Sequence, residues 1–503
     1  MNVTVSILLL ILIILPCKVH AAMILFHGMH SSRSHIGSML PLAKALLKAG
    51  HDVHFLETTQ NKKPYDLPHG ITNHFVRLTG GKTFDLRSMW TEVYPPQALL
   101  ELFTLGDAAL HAVLTNHYDE VERVLNTTWD IVFSDELFAM GGFGIAMRNA
   151  KINGRPYIMF STTVLMQLFS WEQALARIFI GRPSMWVPPK DDISYDIENF
   201  AHRCRSLYDE TVSALFIKYG IENAENKGLL MLGVKDFSFT NLWTNAVYNF
   251  QEELNHLAFP APMSSDIVYV GSHCPLANIL PTDLKEFLDD NVSKGTLYIA
   301  FGTYVKWSHA PKAILDAFKD MMKEMHQYRV VFVYNGDSLG EMPSHVKVLK
   351  WAPQFDILSH SKTVLFISHG GLKSLKEAIC SKTSVLYLPL FAEQTHNAAV
   401  AMKLGFARSL SKLSLDGEKL LRVVREMLSS TQYTNAVLRV HDIYIDRPME
   451  SLSEAVFWTN RSLRIGSRKP TFKRKGMFLS STTYFYLPHL SGVLFAIIIS
   501  YKL

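Results

Sequence analysis

Between residues 351 and 397 the chain gathers side chains suited to holding a phosphorylated ligand: Trp351, Gln354, His369-Gly370-Gly371, Ser374, Glu377, Glu393-Gln394 and Asn397. Paired glycines let the backbone approach a ligand closely, and a helix starting there offers free N–H groups to an anion. His369 and Ser374 can add side-chain hydrogen bonds to the same group. Trp351 offers a flat indole face, and a carboxylate such as Glu377 accepts hydrogen bonds from a diol. A second concentration of chemistry lies near the start, where HGMHSSRSH carries His27, His30 and His35. A neutral imidazole with a pKa near neutrality suits proton abstraction. Such a base commonly has a carboxylate behind it, and Ser134-Asp135-Glu136 supplies two acids after an apolar run.

The elements that must position these groups follow a strand–helix rhythm. Val364–Ser368 and Ser384–Pro389 are apolar runs bounded by turn formers and predict buried parallel strands. The segment Leu372–Cys380 between them predicts a helix entered from His369-Gly370-Gly371, so the stretch is a βαβ unit with its loop at a strand's carboxyl end. Nearer the start, Met23–Phe26 predicts a strand and Ile36–Ala49 a helix closed by Gly50, followed by a strand at His51–Glu57. Further strands are expected at 130–133, 156–160, 266–271, 296–301, 329–334 and 346–351, and helices at 311–326, 394–404 and 417–428. Gly302-Thr303 makes a tight turn at the end of the 296–301 strand, which aims it at the same cleft as His369. Ser272–Lys294 reads as a linker with a short helix. The stretch 154–278 is less regular, with Tyr195–Gly220 rich in helix. Its Met166, Phe169, Trp171 and Met185 fit either a core or a lipophilic pocket, with core the favoured reading.

The ordered set from Trp351 to Asn397 resembles the signature of the UDP-glycosyltransferases, which include the UDP-glucuronosyltransferases. The resemblance implies the GT-B fold, two Rossmann-like doubly wound domains of the α/β class facing a cleft. It implies that Trp351 stacks on uracil, that Gln354 bonds the base through its backbone, and that Glu377 takes the ribose hydroxyls. Gly302, Thr303, His369, Gly370, Gly371 and Ser374 would face the diphosphate, Glu393 and Gln394 would hold the sugar, and Asn397 belongs to the same donor-binding set. It also selects His35 as the base and Asp135 as its partner, with Glu136 left open as an alternative. Glu393 stands where many members have Asp, which leaves glucose, glucuronate and other sugars open.

The 503 residues suit two to four domains. A composition 48% hydrophobic and 19% charged is globular with some membrane-type sequence. A net charge of +5, concentrated near the C-terminus, implies no nucleic-acid partner. Val5–Leu15, Pro16 and the small residues near Ala21 predict a cleaved secretory leader, with a retained anchor as the alternative. Loss of Cys17 leaves Cys204, Cys274 and Cys380, enough for one internal disulfide with one thiol over. Asn126, Asn291 and Asn460 begin glycosylation sequons. A basic segment, 461–482, precedes an apolar stretch at about 484–501 that just reaches spanning length. Pro488, His489 and the basic residues on the lumenal side argue against a span, yet a single-pass anchor is preferred; an interfacial helix and a processed lipid-anchored tail stay open.

The expected organisation is a leader (1–22), an acceptor-binding domain (23–275), a UDP-sugar-binding domain (276–460) whose last helix packs back on the first, the basic segment and a membrane helix at 483–501. The expected function is inverting transfer of a hexosyl group from a UDP-sugar to a small lipophilic acceptor, at the endoplasmic reticulum membrane with the catalytic domains lumenal. No cofactor and no metal are required, and a homo-oligomer is left open. Two rivals remain: a non-catalytic sugar-nucleotide binder, and a nucleotide-cofactor oxidoreductase, which would need a Gly-x-Gly-x-x-Gly after the first strand that is not found there.

Overall fold

A computed structural model describes residues 21–80, 87–175, 180–186, 190–192, 195–466, 473–484 and 486–502. The expected leader, with Cys17, falls outside the described residues but for its last two positions, as do Pro188, Pro189, Arg468 and Lys469. Two parallel sheets organise the chain. The first contains β1 (Met23–His27), β2 (Asp52–Thr59), β3 (Ile71–Arg77), β4 (Ile131–Asp135), β5 (Tyr157–Ser161), β6 (Tyr248–Gln251) and β7 (Ile267–Tyr269). The second contains β8 (Thr296–Ala300), β9 (Arg329–Val333), β10 (Val346–Leu349), β11 (Thr363–Ser368), β12 (Val385–Tyr387) and β13 (Ala407–Ser409).

The first sheet runs β3-β2-β1-β4-β5-β6-β7 and the second β10-β9-β8-β11-β12-β13. Both orders reverse once, between β1 and β4 and between β8 and β11. At such a reversal the two following loops leave on opposite faces and open a crevice at the carboxyl ends of the strands. β1 pairs with β4 through His27 and Ser134, and β8 with β11 through Ala300 and Ser368. Each crevice therefore receives loops distant in sequence.

Strand interiors such as Ile131–Asp135 and Thr296–Ala300 are buried at every position, because helices cover both faces. The helix Gly417–Ser429 turns Leu420, Val423, Val424 and Met427 inward at helical spacing, and Asp416 caps its start by accepting from Lys419 N at 2.7 Å. Met166, Phe169, Trp171 and Met185 are buried in the core of the first half, as the core reading has it.

The halves are joined in several places. Met89 and Trp90, from the first half, pack into the core around Phe301 and Trp307, with the Trp90 and Trp307 rings 4.9 Å apart. Cys274 and Cys380 form a disulfide between the segment after β7 and the helix after β11, and Cys204 is free and exposed. The helix Ser451–Ile465 packs on the helix Arg33–Lys48 and buries Ala455 in the first half's core. It continues through position 460, where the sequence reading placed a boundary. Asn460 lies within it and accepts from His51 Nε2 at 2.9 Å, so this sequon sits in a packed helix, whereas Asn126 and Asn291 are exposed.

The basic segment is partly built into the fold. Lys473 Nζ lies 2.8 Å from Asp266 Oδ2, Arg474 pairs with the same carboxylate, and Met477 is buried in the first half's core. The two cations share this one carboxylate and are held in the fold. The tail helix Leu487–Lys502 has 16 residues, about 24 Å at helical rise, against a hydrocarbon core of about 30 Å. Among the described residues one longer helix, Ala98–Asn116, is apolar enough to cross a membrane, but it packs against the helices Met140–Asn153 and Phe200–Glu222.

Candidate functional site

The first crevice holds the histidine cluster. Ser32 caps the helix Arg33–Lys48, its side chain accepting from His35 N, which sets His35 in the first turn just after β1. Asp135 ends β4, the strand beside β1. The reversal in strand order therefore brings together residues a hundred positions apart: His35 Nδ1 and Asp135 Oδ2 are 2.5 Å apart. The carboxylate is fully buried, and Oδ2 also accepts from Met29 N at 3.1 Å while Oδ1 accepts from Leu137 N at 3.2 Å. Thr162, just past β5, places its hydroxyl 2.9 Å from both Asp135 Oδ1 and His35 Nδ1.

Among the described residues, His35 is the one of the three loop histidines with a carboxylate in contact. Burial lowers its pKa, but Asp135, with Glu393 and Glu252 beyond it, outweighs burial and leaves it above 6.5. His27 bonds Leu56 O and burial lowers it; His30 bonds Thr58 Oγ1 and is lowered to about 4, chiefly by burial. Of the two acids, Asp135 is the one in contact with His35. Glu136 turns away from His35 and accepts from Ser161 Oγ, and burial pushes its carboxyl well above the usual range.

The second crevice holds the glycine turn. His369 follows β11, and Gly302 follows β8 with φ +69°; a Cβ on Gly302 would lie 2.9 Å from His369 Cε1. A Cβ on Gly371 would lie 2.9 Å from His369 Nε2. Gly370 has φ +99°, and a Cβ on it would lie 2.9 Å from Gln394 O, so only glycine fits. The helix Leu372–Ser381 begins at Gly371 with no side-chain cap and no acid in its first turn, the arrangement that receives an anion. Among the described residues His369 Nδ1 is buried without a hydrogen-bond partner, and burial lowers the ring's pKa to about 4, so it is neutral near pH 7.

The remaining residues divide by exposure. Trp351 is 74% exposed and Thr303 is exposed, so both are available to a ligand. Gln354 Nε2 donates to Ser374 Oγ at 3.1 Å and to Glu377 Oε2 at 2.5 Å, so these three form one cluster beside the helix start. Burial raises the pKa of Glu377, and a diol in place of Gln354 would satisfy the same oxygen. Gln394 is buried, its Oε1 accepting from Leu390 N and Phe391 N. Asn397 is also buried and donates to Gly370 O at 2.8 Å, so it shapes the glycine turn. Glu393, at the start of the helix Gln394–Lys403, is close enough to His35 for each to shift the other.

The two crevices face each other. Lys373, in the first turn after Gly371, places Nζ 3.0 Å from where a Cβ of Gly37 would lie, and Tyr304 OH donates to Ser31 O at 3.1 Å. The sequence reading missed Thr162, Tyr304, and Lys376, which pairs with Glu252 at 2.9 Å. No spacing rule announces them, because each partner lies on an element far away in the chain.

Two facing parallel α/β sheets with a base-type pair in one crevice and an anion-type turn in the other define a GT-B glycosyltransferase. The structure matches solved glycosyltransferases over most of its length at low identity. A kitacinnamycin glycotransferase gives a TM-score of 0.59 at 16% identity, covering 88% of this chain and 99% of that one. Phytolacca americana UGT2, solved with UDP-2fluoro-glucose and pterostilbene, gives 0.57 at 17% identity, covering 88% and 100%. Residues 213–469 match the family model described as UDP-glucoronosyl and UDP-glucosyl transferase, and the chain belongs to that family. Among curated relatives, UDP-glycosyltransferase UGT4 of Dactylopius coccus is 26% identical over 86% of this chain and 84% of its own length. A UDP-glucuronosyltransferase of Pleuronectes platessa is 31% identical over 52% of this chain and 53% of its own length.

Proposed function

We propose that the protein transfers a hexosyl group, glucose or glucuronate, from UDP to a hydroxyl or similar nucleophile of a small lipophilic acceptor, with inversion. In this reading Trp351 stacks on uracil, Gln354 bonds the base through its backbone, and Glu377 takes the ribose hydroxyls. Gly302, Thr303, His369, Gly370, Gly371 and Ser374 cradle the diphosphate. Glu393 and Gln394 hold the sugar, and Asn397 keeps the Gly370 turn in shape. Asp135 fixes the His35 tautomer by accepting at Nδ1, which leaves Nε2 to take the acceptor proton. As that proton leaves, the acceptor oxygen bonds the anomeric carbon and the bond from that carbon to the β-phosphate oxygen breaks. UDP departs with the electron pair toward the helix start at Gly371. A single displacement inverts the anomeric centre.

The observation that carries this reading is the 2.5 Å His35–Asp135 contact in one crevice opposite the uncapped helix start in the other. We further assign the tail helix to attachment at the endoplasmic reticulum membrane, with both sheets on the lumenal side. The test is titration of the full chain in detergent with UDP, UDP-glucose and UDP-glucuronate, followed by assay of His35→Ala. Saturable binding that survives this substitution while transfer is lost supports the assignment. Binding without transfer in the unaltered protein would leave a sugar-nucleotide binder, and no uridine nucleotide binding would overturn the reading.

A further inference from the structure

The helix Phe200–Glu222 turns large apolar residues outward as well as inward. Its buried positions mix Ser206, Asp209, Glu210 and Ser213 with Ala214, Ile217 and Ile221. Phe200, Leu207, Tyr208, Leu215, Phe216 and Tyr219 are all exposed, and Arg205 is the one charged residue at its exposed positions. The helix Gly417–Ser429 of the same protein has the ordinary arrangement, with apolar residues inward. The inward polar groups of this helix are satisfied: Glu210 accepts from Met185 N, and Lys218 bonds Glu172 at 2.7 Å. Its orientation is therefore specified by the fold, and these outward apolar side chains are left without a protein partner among the described residues. Clustered exposed apolar side chains on a soluble surface mark a contact with an apolar phase or another protein.

The tail helix indicates which of these it is. Leu490, Val493, Leu494, Phe495, Ile497 and Ile498 are exposed all round it, which demands a lipid environment. That helix is tethered close to the Phe200–Glu222 helix. Arg474 donates to Gln173 O at the end of the helix Gln167–Glu172, and that helix packs along Phe200–Glu222 through the Glu172–Lys218 ion pair. From the buried Met477 to Leu487 the chain reaches at most about 35 Å even fully extended. A bilayer holding the tail is thus within reach of the exposed aromatic face. Phe and Tyr mixed with Leu is the composition that sits at a lipid–water boundary.

We propose that the outward face of the Phe200–Glu222 helix lies on the lipid bilayer that takes the tail helix, so that the first half of the protein rests on the membrane at two places. This rests on the membrane-attached reading above. It places the half that bears His35 beside the phase into which lipophilic acceptors partition.

Cys204 lies on the exposed side of this helix and supplies the probe. The full chain in a Cys17→Ser background, labelled at Cys204 with an environment-sensitive thiol dye, is reconstituted in phosphatidylcholine vesicles and floated on a density gradient. Flotation together with blue-shifted emission, quenched more by lipids brominated near the headgroup than near the chain ends, is the expected result. The expected depth is about 5–10 Å below the headgroups. A Phe216→Ser, Tyr219→Ser variant should float and bind UDP unchanged while losing most of that quenching. Flotation without bromolipid quenching overturns the proposal and leaves the anchor standing. Protection from aqueous iodide without bromolipid quenching overturns it in favour of a protein–protein interface. Failure to float overturns the anchor reading and this proposal with it.

Discussion

Lys376 and Glu252 form an ion pair 2.9 Å long that is buried on both sides and joins the helix following Gly370-Gly371 to the end of β6 in the first sheet. Burial would raise the Glu252 carboxyl, but Lys376 and His273 outweigh burial and hold it below the usual range. Removing one partner strands the other charge. Lys376→Met should cost about 3–5 kcal/mol of stability, whereas Lys376→Met with Glu252→Gln should cost clearly less than the sum of the two single changes. Denaturant titration of the four proteins measures this, and additive losses would show that the pair is not coupled.

The dyad is tested by separating binding from chemistry. His35→Ala and Asp135→Asn should each lower kcat by about 10²–10⁴-fold while UDP affinity stays within about two-fold. Calorimetry for binding and a transfer assay for kcat supply the two numbers. A loss confined to KM would contradict the role of either residue.

The pH dependence follows from the sign of the His35 shift. Its pKa lies above 6.5, so the neutral base is lost on acidification and kcat/KM should fall with a midpoint above pH 6.5. Glu252→Gln removes a negative charge that raises this pKa, so the acid limb should move to lower pH. By linkage, the stability contributed by the protonated imidazole is present below pH 6.5 and lost as pH rises through the folded pKa. A profile from pH 5 to 9 decides the matter, and an unmoved acid limb in the Glu252 variant would refute the electrostatic coupling.

Thr162→Val removes a hydroxyl 2.9 Å from both members of the dyad. A buried hydrogen bond of this kind is worth about 1–3 kcal/mol to a charged partner, so kcat should fall roughly ten-fold or more, while Thr162→Ser should restore most of it. Equal behaviour of the two variants would remove Thr162 from the positioning of the dyad.

Two substitutions separate packing from binding in the second crevice. Gly370→Ala forces a Cβ to 2.9 Å from Gln394 O at a φ of +99°, so it should lower Tm and UDP affinity together. Trp351→Ala alters a side chain 74% exposed and should leave stability within about 0.5 kcal/mol. Its UDP affinity should nevertheless fall by the roughly 1–3 kcal/mol of a base–aromatic stack. Thermal unfolding with and without UDP distinguishes the two.

Much of the fold was legible because its signals are local. An apolar run between turn formers is a buried strand whatever follows it, so β8, β9, β11 and β12 were placed within a few residues. The glycine turn at 369–371 was readable for the same reason, since only glycine tolerates φ +99° with a carbonyl at that distance. β3 and β6 were not read. β3 carries Asn73 and His74 in a half-buried edge strand, and β6, only four residues long, is set by its neighbours.

What the sequence determined by itself was the alternation of strand and helix, the anion-type helix start and the presence of a histidine loop and an acid pair. Tertiary structure alone decided which acid touches His35. Successive residues along a strand point to opposite faces, so Asp135 meets His35 while Glu136 meets Ser161. It also decided the contacts of Thr162 and of Lys376 with Glu252, and the outward turn of Phe200, Phe216 and Tyr219. In each case the cause is pairing between elements far apart in the chain. Periodicity reports which positions share a face; only packing decides which face looks inward.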